Sequence, residues 1–158
     1  MIAYYFHMEI QTKNRWAAVQ QLFDAQARLE ERFANTLGAI HGLSLKDTLL
    51  MLHVGHAEGG RLSRIELAKR LSVSPSTVTR ITAPLEKRGL LGRESNAGDA
   101  RYAYVVLTEA GQRAIVDASA TLEGASARLF EKAWTDAEIA SLTHLLGRLS
   151  LGYPLPLG

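Results

Sequence analysis

The sequence predicts a mostly α-helical chain with one small β-hairpin. Three observations carry this expectation. Apolar residues recur at three- and four-residue steps through most of the 158 residues, the spacing of one helical face. Ser or Thr precedes several of these runs, with an acidic residue three positions on: Ser44 and Asp47, Ser63 and Glu66, Thr135 and Glu138. That pattern marks a capped helix start. Between Gly89 and Thr108 the pattern changes to two short apolar runs around an Asn/Gly/Asp-rich loop, which reads as a hairpin.

The elements follow in order. Val19, Leu22, Ala25, Leu29, Phe33, Leu37 and Ile40 line one face of a helix from about Lys13, ended by Gly42. Its stripe is longer than one small domain needs. A second helix starts at Ser44 and is apolar nearly all round (Leu45, Leu49, Leu50, Leu52, Val54), so it should be buried. "EGG", Glu58 to Gly60, should end it. Ser63 caps a short third helix with Ile65, Leu67, Ala68 and Leu71 inward, and "SVS" is a tight turn. The fourth helix has Ser74 as N-cap, Pro75 at the first helical position and Gly89 as its stop. Pro84, in its interior, removes the N–H that would bond the Arg80 carbonyl and should bend the helix there.

"LLGRE" and "YAYVVL" are the hairpin strands and "SNAGDAR" their loop. Thr108 caps a long helix to about Lys132, in which Ile115, Ala118, Leu122, Ala125 and Leu129 form a heptad seam. Thr135 opens a last helix carrying Ile139, Leu142, Leu145, Leu146 and Leu149, and Pro154 and Pro156 keep the tail extended. The expected division is a helical region from 10–56 and 112–150, a compact unit from 57–111, and an extended tail from 151–158.

Composition narrows the classes. There are no cysteines, which excludes disulfides, thiolate metal sites and thiol redox sensing and suits a cytoplasmic protein. No apolar run approaches the ~18 residues of a membrane span. The N-terminus lacks the basic region and cleavage site of a signal peptide, and Met8 offers a second possible start. Net charge is only +2, but residues 61–101 hold nine basic and four acidic side chains, a net +5, against −3 elsewhere. A concentrated positive segment attracts polyanions more than total charge suggests.

Two short helices, a three-residue turn and a hairpin form, in that order, a winged helix-turn-helix. The second helix of such a pair fits the DNA major groove while the first crosses the backbone. At about 100° per residue, Val78, Ile81, Thr82 and Leu85 should pack inward. Ser76, Arg80, Ala83 and Lys87 should face outward, flanked by Thr77 and Thr79. Small residues admit close approach to the groove, Ser and Thr donate to phosphates or bases, and Arg can bind guanine in a bidentate way. The expected DNA-binding set is Ser74, Ser76, Thr77, Thr79, Arg80, Lys87, Arg88, Arg93 and Arg101.

The segments "ELAKRLSVSPSTVTRITAPLEKRGLLGRE" (Glu66 to Glu94) and "DARYAYVVLTEAG" (Asp99 to Gly111) resemble the MarR (multiple antibiotic resistance regulator) family of bacterial winged-helix transcription factors. The second is the sharper match, with Asp99, Arg101, Leu107, Thr108 and Gly111 at the positions of the family's wing signature. Element order resembles the family over nearly the whole chain, motifs over roughly 62–111. The resemblance implies a fold that is mostly α with a small β-hairpin wing: a winged helix-turn-helix flanked by long N- and C-terminal dimerisation helices. It implies an obligate homodimer with interlaced arms, which would account for the surplus stripe of the first helix and for the heptad seam. Such a dimer binds double-stranded DNA at a pseudo-palindrome. Arg101 would enter the minor groove from the wing, and Asp99 would pair with an arginine and hold the wing in shape.

The resemblance further implies a repressor released by a small aromatic or lipophilic anionic effector. Trp16, His41, His53 and His56 are the pocket candidates near the arms. His53 and His56 are three apart on a helix, but spacing places no third ligand, so neither a metal nor any cofactor is expected. A second reading is a constitutive DNA-binding or protein-interaction module without an effector. Ligand-dependent release of DNA separates the two. An enzyme is not expected, since no nucleophile elbow or phosphate loop is present.

Overall fold

The computed structural model describes residues 2–96 and 99–149, with side chains described over 14–94 and 104–149. The chain is organised as a winged unit between two helical arms. Helix α1 (Ile2–His41) leads into α2 (Leu45–Gly55), a 3-10 turn (Glu58–Gly60) and β1 (Arg61–Ser63). Then come α3 (Arg64–Arg70), α4 (Pro75–Lys87), β2 (Leu91–Asn96), β3 (Asp99–Leu107), α5 (Glu109–Phe130) and α6 (Asp136–Leu149).

The expected helix starts are built as read. Ser44 and Asp47 form a complete reciprocal capping box on α2, and Thr135 and Glu138 do the same ahead of α6. Ser63 accepts from the Glu66 N–H, whereas the Glu66 carboxylate turns to Arg70 at 3.2 Å instead of closing the box. Gly42 ends α1 at φ +61 and Gly89 follows α4 at φ +72, left-handed positions where a side chain would be strained.

Helix α2 is the centre of the core. Leu50, Met51 and Val54 are fully buried and pack with Leu37, Leu43, Leu67, Val78, Leu85, Val105 and Ile115. Burial of each large side chain contributes roughly 1.5–3 kcal/mol. Thr48, buried among them, donates its hydroxyl to the Ser44 carbonyl at 3.0 Å, so no polar atom is stranded there.

Four expectations need correction. Helix α1 begins at Ile2, not near Lys13. Helix α2 ends at Gly55, and "EGG" forms its own 3-10 turn with Gly59 and Gly60 at positive φ. The hairpin is joined by a third strand: β1 pairs antiparallel with β3, giving the order β1-β3-β2. Both hairpin strands run into the segment read as loop, and the register shifts between Ser95 and Asn96, which marks a bulge at the wing tip.

A further correction concerns the arms. The α5 seam is largely spent inside one chain: Ile115 and Ala118 lie in the core, Ala125 is buried, and Leu122 packs against the core. Most of the exposed large apolar side chains among the described residues lie instead on α1 and α6. Residues 14–28 of α1 are exposed throughout, Trp16 and Phe23 by 60% and 62%, and α6 has no buried residue. The tail at 151–158 lies outside the described residues.

Candidate nucleic-acid interface

The α3–turn–α4 unit is fixed from inside. Leu67 and Ala68 of α3 and Val78, Thr82 and Leu85 of α4 are buried. The turn closes with Ser72 at φ +54 and the Val73 N–H on the Ala68 carbonyl at 3.0 Å. With α4's apolar face inward, Ser76, Thr79, Arg80, Ala83 and Lys87 are exposed on the other side, as their spacing predicts. The helix continues unbroken across Pro84 to Lys87. One missing intrahelical hydrogen bond does not end it where Val78, Thr82 and Leu85 anchor the buried face.

The hydroxyls at the start of α4 are partly committed. Ser74 accepts from the Thr77 N–H at 3.2 Å and lies 2.9 Å from both the Ser76 and Thr77 hydroxyls. Thr79 bonds the Pro75 carbonyl at 3.3 Å. Ser74 is thus a cap first, and Ser76 and Thr79 are the hydroxyls best presented outward.

Two of the expected DNA-binding arginines are held by the protein. Arg88 donates to the Gly42 carbonyl at 2.9 Å, joining the end of α4 to the end of α1. Arg93 on β2 pairs with Glu86 of α4 at 2.6 Å, and the Glu86 carboxylate raises the Arg93 pKa through its hydrogen bond and its charge. The wing base is braced too: Arg61 of β1 pairs with Glu94 at 2.9 Å and lies over the Tyr104 ring at 4.9 Å. Arg80 and Lys87, by contrast, form no ion pair among the described residues. At the wing, Asp99 opposes Asn96 in the strand register. The side chains of Asp99 and Arg101 lie outside the described residues.

A junction that the residue types did not reveal sits behind α4. Thr108 donates its hydroxyl to the Gly89 carbonyl at 2.6 Å, and its N–H to the Leu90 carbonyl at 3.1 Å. The same oxygen caps α5 by accepting from the Gly111 N–H at 3.0 Å. A Cβ on Gly111 would collide with the Leu90 carbonyl. The turn after the recognition helix is thereby clamped to α1 through Arg88 and to α5 through Thr108 and Gly111. The Leu-Thr-x-x-Gly signature has a physical reason: a cap with a second bond, and a glycine that lets two backbones touch.

A family model described as the MarR family matches residues 43–102. The HTH-type transcriptional regulator YhbI of Bacillus subtilis is 29% identical over 134 residues, covering 83% of this chain and 85% of YhbI. Sco3205, a MarR family transcriptional regulator from Streptomyces coelicolor solved in complex with DNA, superposes with a TM-score of 0.77 at 22% identity, covering 90% of this chain and 91% of that one. BpsR of Bordetella bronchiseptica, solved in a study of its regulation by 6-hydroxynicotinic acid, gives 0.71 at 22% identity, covering 85% and 98%. Residues 43–102 thus carry the winged helix-turn-helix of the MarR family. The match is to DNA-binding transcriptional regulators, and α4 is the second helix of the helix-turn-helix.

Between the arms and the winged unit lies an open cavity of about 490 Å³. Helix α2 supplies Leu52, Gly55 and His56, β3 ends in it at Leu107, and α5 lines it from Gln112 to Glu123. Of the four expected pocket residues only His56 is part of it. His53 is buried, with its pKa lowered first by burial and then by the charges of Arg70 and His56. The His41 ring lies 2.8 Å from the Thr121 hydroxyl, which itself donates to the Asp117 carbonyl; His41 therefore ties α1 to α5 as the donor. Trp16 stands far out on the exposed part of α1. The α5 residues Gln112, Ile115, Val116 and Ser119 were the ones missed, because sequence spacing reads them as ordinary helix faces. Among the described residues, no three His, Asp or Glu side chains are grouped to hold a metal, and no helix is long and apolar enough to cross a membrane.

Proposed function

We propose that this protein is a ligand-responsive repressor of the MarR family that binds a pseudo-palindromic operator as a homodimer. The observation that carries the reading is the division of α4: one face is locked into the core, while the other offers Ser76, Thr79, Arg80 and Lys87. Small side chains with two cations that form no ion pair among the described residues suit a major groove, where phosphate contacts position and base contacts specify. Arg101 completes the set from the wing, while Arg88 and Arg93 aim α4 and the wing rather than read DNA.

The bare arms support the homodimer. The exposed half of α1, with Trp16, Val19, Leu22 and Phe23, and the α6 residues Leu145 and Leu149 form apolar surface that is exposed among the described residues. Patches of this kind mark interfaces, and a two-fold pair would set two α4 helices about one DNA turn apart. The cavity between arm and winged unit supports an effector, since a molecule wedged there would favour one arm angle over another.

The test is selection of bound sequences from random DNA, followed by sedimentation of the complex. Recovery of an inverted repeat bound by two chains is the expected outcome. Recovery of no enriched sequence, or binding by single chains, would overturn the reading.

A further inference from the structure

We propose that the cavity between α2 and α5 takes an apolar ring compound bearing a cationic or N–H-donating head group, selected by Glu123. This rests on the reading of the cavity as an effector site and specifies its chemistry. The floor is apolar, with Leu107, Ile115 and Val116. Its ionisable lining residues are His56 and Glu123, and no Lys or Arg lines it among the described residues. Along α5, Arg113 belongs to a neighbouring shallow depression and pairs with Glu109 at 2.7 Å, and the Arg128 guanidinium lies beside Gly124, outside the lining.

Gln112 and His56 offer donors as well as acceptors, so the bias toward acceptors comes from Ser119 and Glu123. Ser119 spends its hydroxyl proton on the Ile115 carbonyl at 2.7 Å, so toward the cavity it offers lone pairs. An ionised Glu123 is acceptor-only. A carboxylate ligand here would meet no Lys or Arg among the described lining residues and would lie beside the like charge of Glu123, which is unfavourable. An amidinium or ring N–H meets Glu123 and Ser119 directly while its ring covers Ile115 and Val116. The volume, about 490 Å³, falls within the range of small-molecule sites. The anionic effector that the family resemblance implies is therefore not the class this lining favours.

The experiment uses two probes of one shape and opposite charge, naphthalene-2-carboxamidine and 2-naphthoate. Each is titrated by calorimetry into the full-length protein, wild type and Glu123→Gln, with Ala120→Phe as a variant that fills the cavity. The amidine should bind the wild type at least about fivefold more tightly than the naphthoate, the scale of one partly exposed charge pair. Glu123→Gln should erase that gap, and Ala120→Phe should abolish amidine binding. Naphthoate binding as tightly as the amidine, an unchanged gap in Glu123→Gln, or binding of neither probe would overturn the proposal. Glu123 is exposed, so its substitution leaves folding intact and the central comparison readable. Operator release is measured separately on the same samples. Glu123-dependent amidine binding without release would retire the effector reading and leave the ligand class standing.

Discussion

Arg88→Met separates a brace from a DNA contact. Methionine keeps most of the apolar stem and removes every donor. In the structure the Arg88 guanidinium donates to the Gly42 carbonyl at 2.9 Å across a sequence separation of 46 residues. Hydrogen bonds from charged donors contribute about 1.5–3 kcal/mol when well shielded. Arg88 is exposed, so about 1 kcal/mol is the figure expected in urea unfolding. Operator affinity should also fall, because α4 loses its tie to α1. Fluorescence anisotropy across a salt series then tells the two roles apart. A residue bound to phosphate reduces the slope of log affinity against log salt by about one when removed. Arg88→Met should leave that slope unchanged, whereas Arg80→Met should flatten it without loss of stability. A flatter slope for Arg88→Met with unchanged unfolding would refute the brace.

The other predictions concern the wing, the arms, the junction and His53. Arg101→Ala should cost about 1–3 kcal/mol of operator affinity and leave sedimentation unchanged; wild-type affinity would remove Arg101 from the reading set. Phe23→Asp combined with Leu145→Asp should give folded monomers by sedimentation, while Leu122→Asp should unfold the chain because Leu122 packs on its own core; folded dimers from the first would refute the arm interface. Gly111→Ala would set a Cβ 2.9 Å from the Leu90 carbonyl carbon and closer still to its oxygen, so a loss of about 1–3 kcal/mol or more is expected in thermal or urea unfolding; wild-type stability would refute the close approach. His53 has a pKa below its usual 6.5 in the fold, so below that pH the unfolded chain binds the extra proton and stability falls as pH drops. His53→Gln should flatten that acid limb, and an unchanged limb would show that other groups set it.

What the sequence made legible divides along physical lines. Helix starts were readable because a cap is a local contract between residues three apart, and Ser44 with Asp47 or Thr135 with Glu138 fulfil it without tertiary help. The face of α4 was readable because one period sets both its buried and exposed sides. Strand β1 was not, since the three residues Arg61–Ser63 are too few to show a period and take their conformation from β3. The α5 seam was read correctly as apolar but assigned to the wrong partner. Periodicity says that a face must be covered; it does not say whether α1 and α2 of the same chain or a second chain does so.

The site shows the same limit in sharper form. Charge counting treats Arg80, Arg88 and Arg93 alike, yet the fold spends two of them. Arg93 finds Glu86 seven residues back on another element, and Arg88 finds a carbonyl at the end of a helix 46 residues away. Neither partner is visible in a local window. The consequence bears on regulation as well as on binding. The turn from Arg88 to Leu90 is bonded to the ends of both α1 and α5, and α5 also forms one wall of the cavity. A molecule that shifts α5 against α2 therefore displaces Thr108 and Gly111, and with them the end of α4. Because packed junctions hold discrete arrangements rather than stretch, the proposed effector reading expects a ligand at the cavity wall to bias the placement of α4.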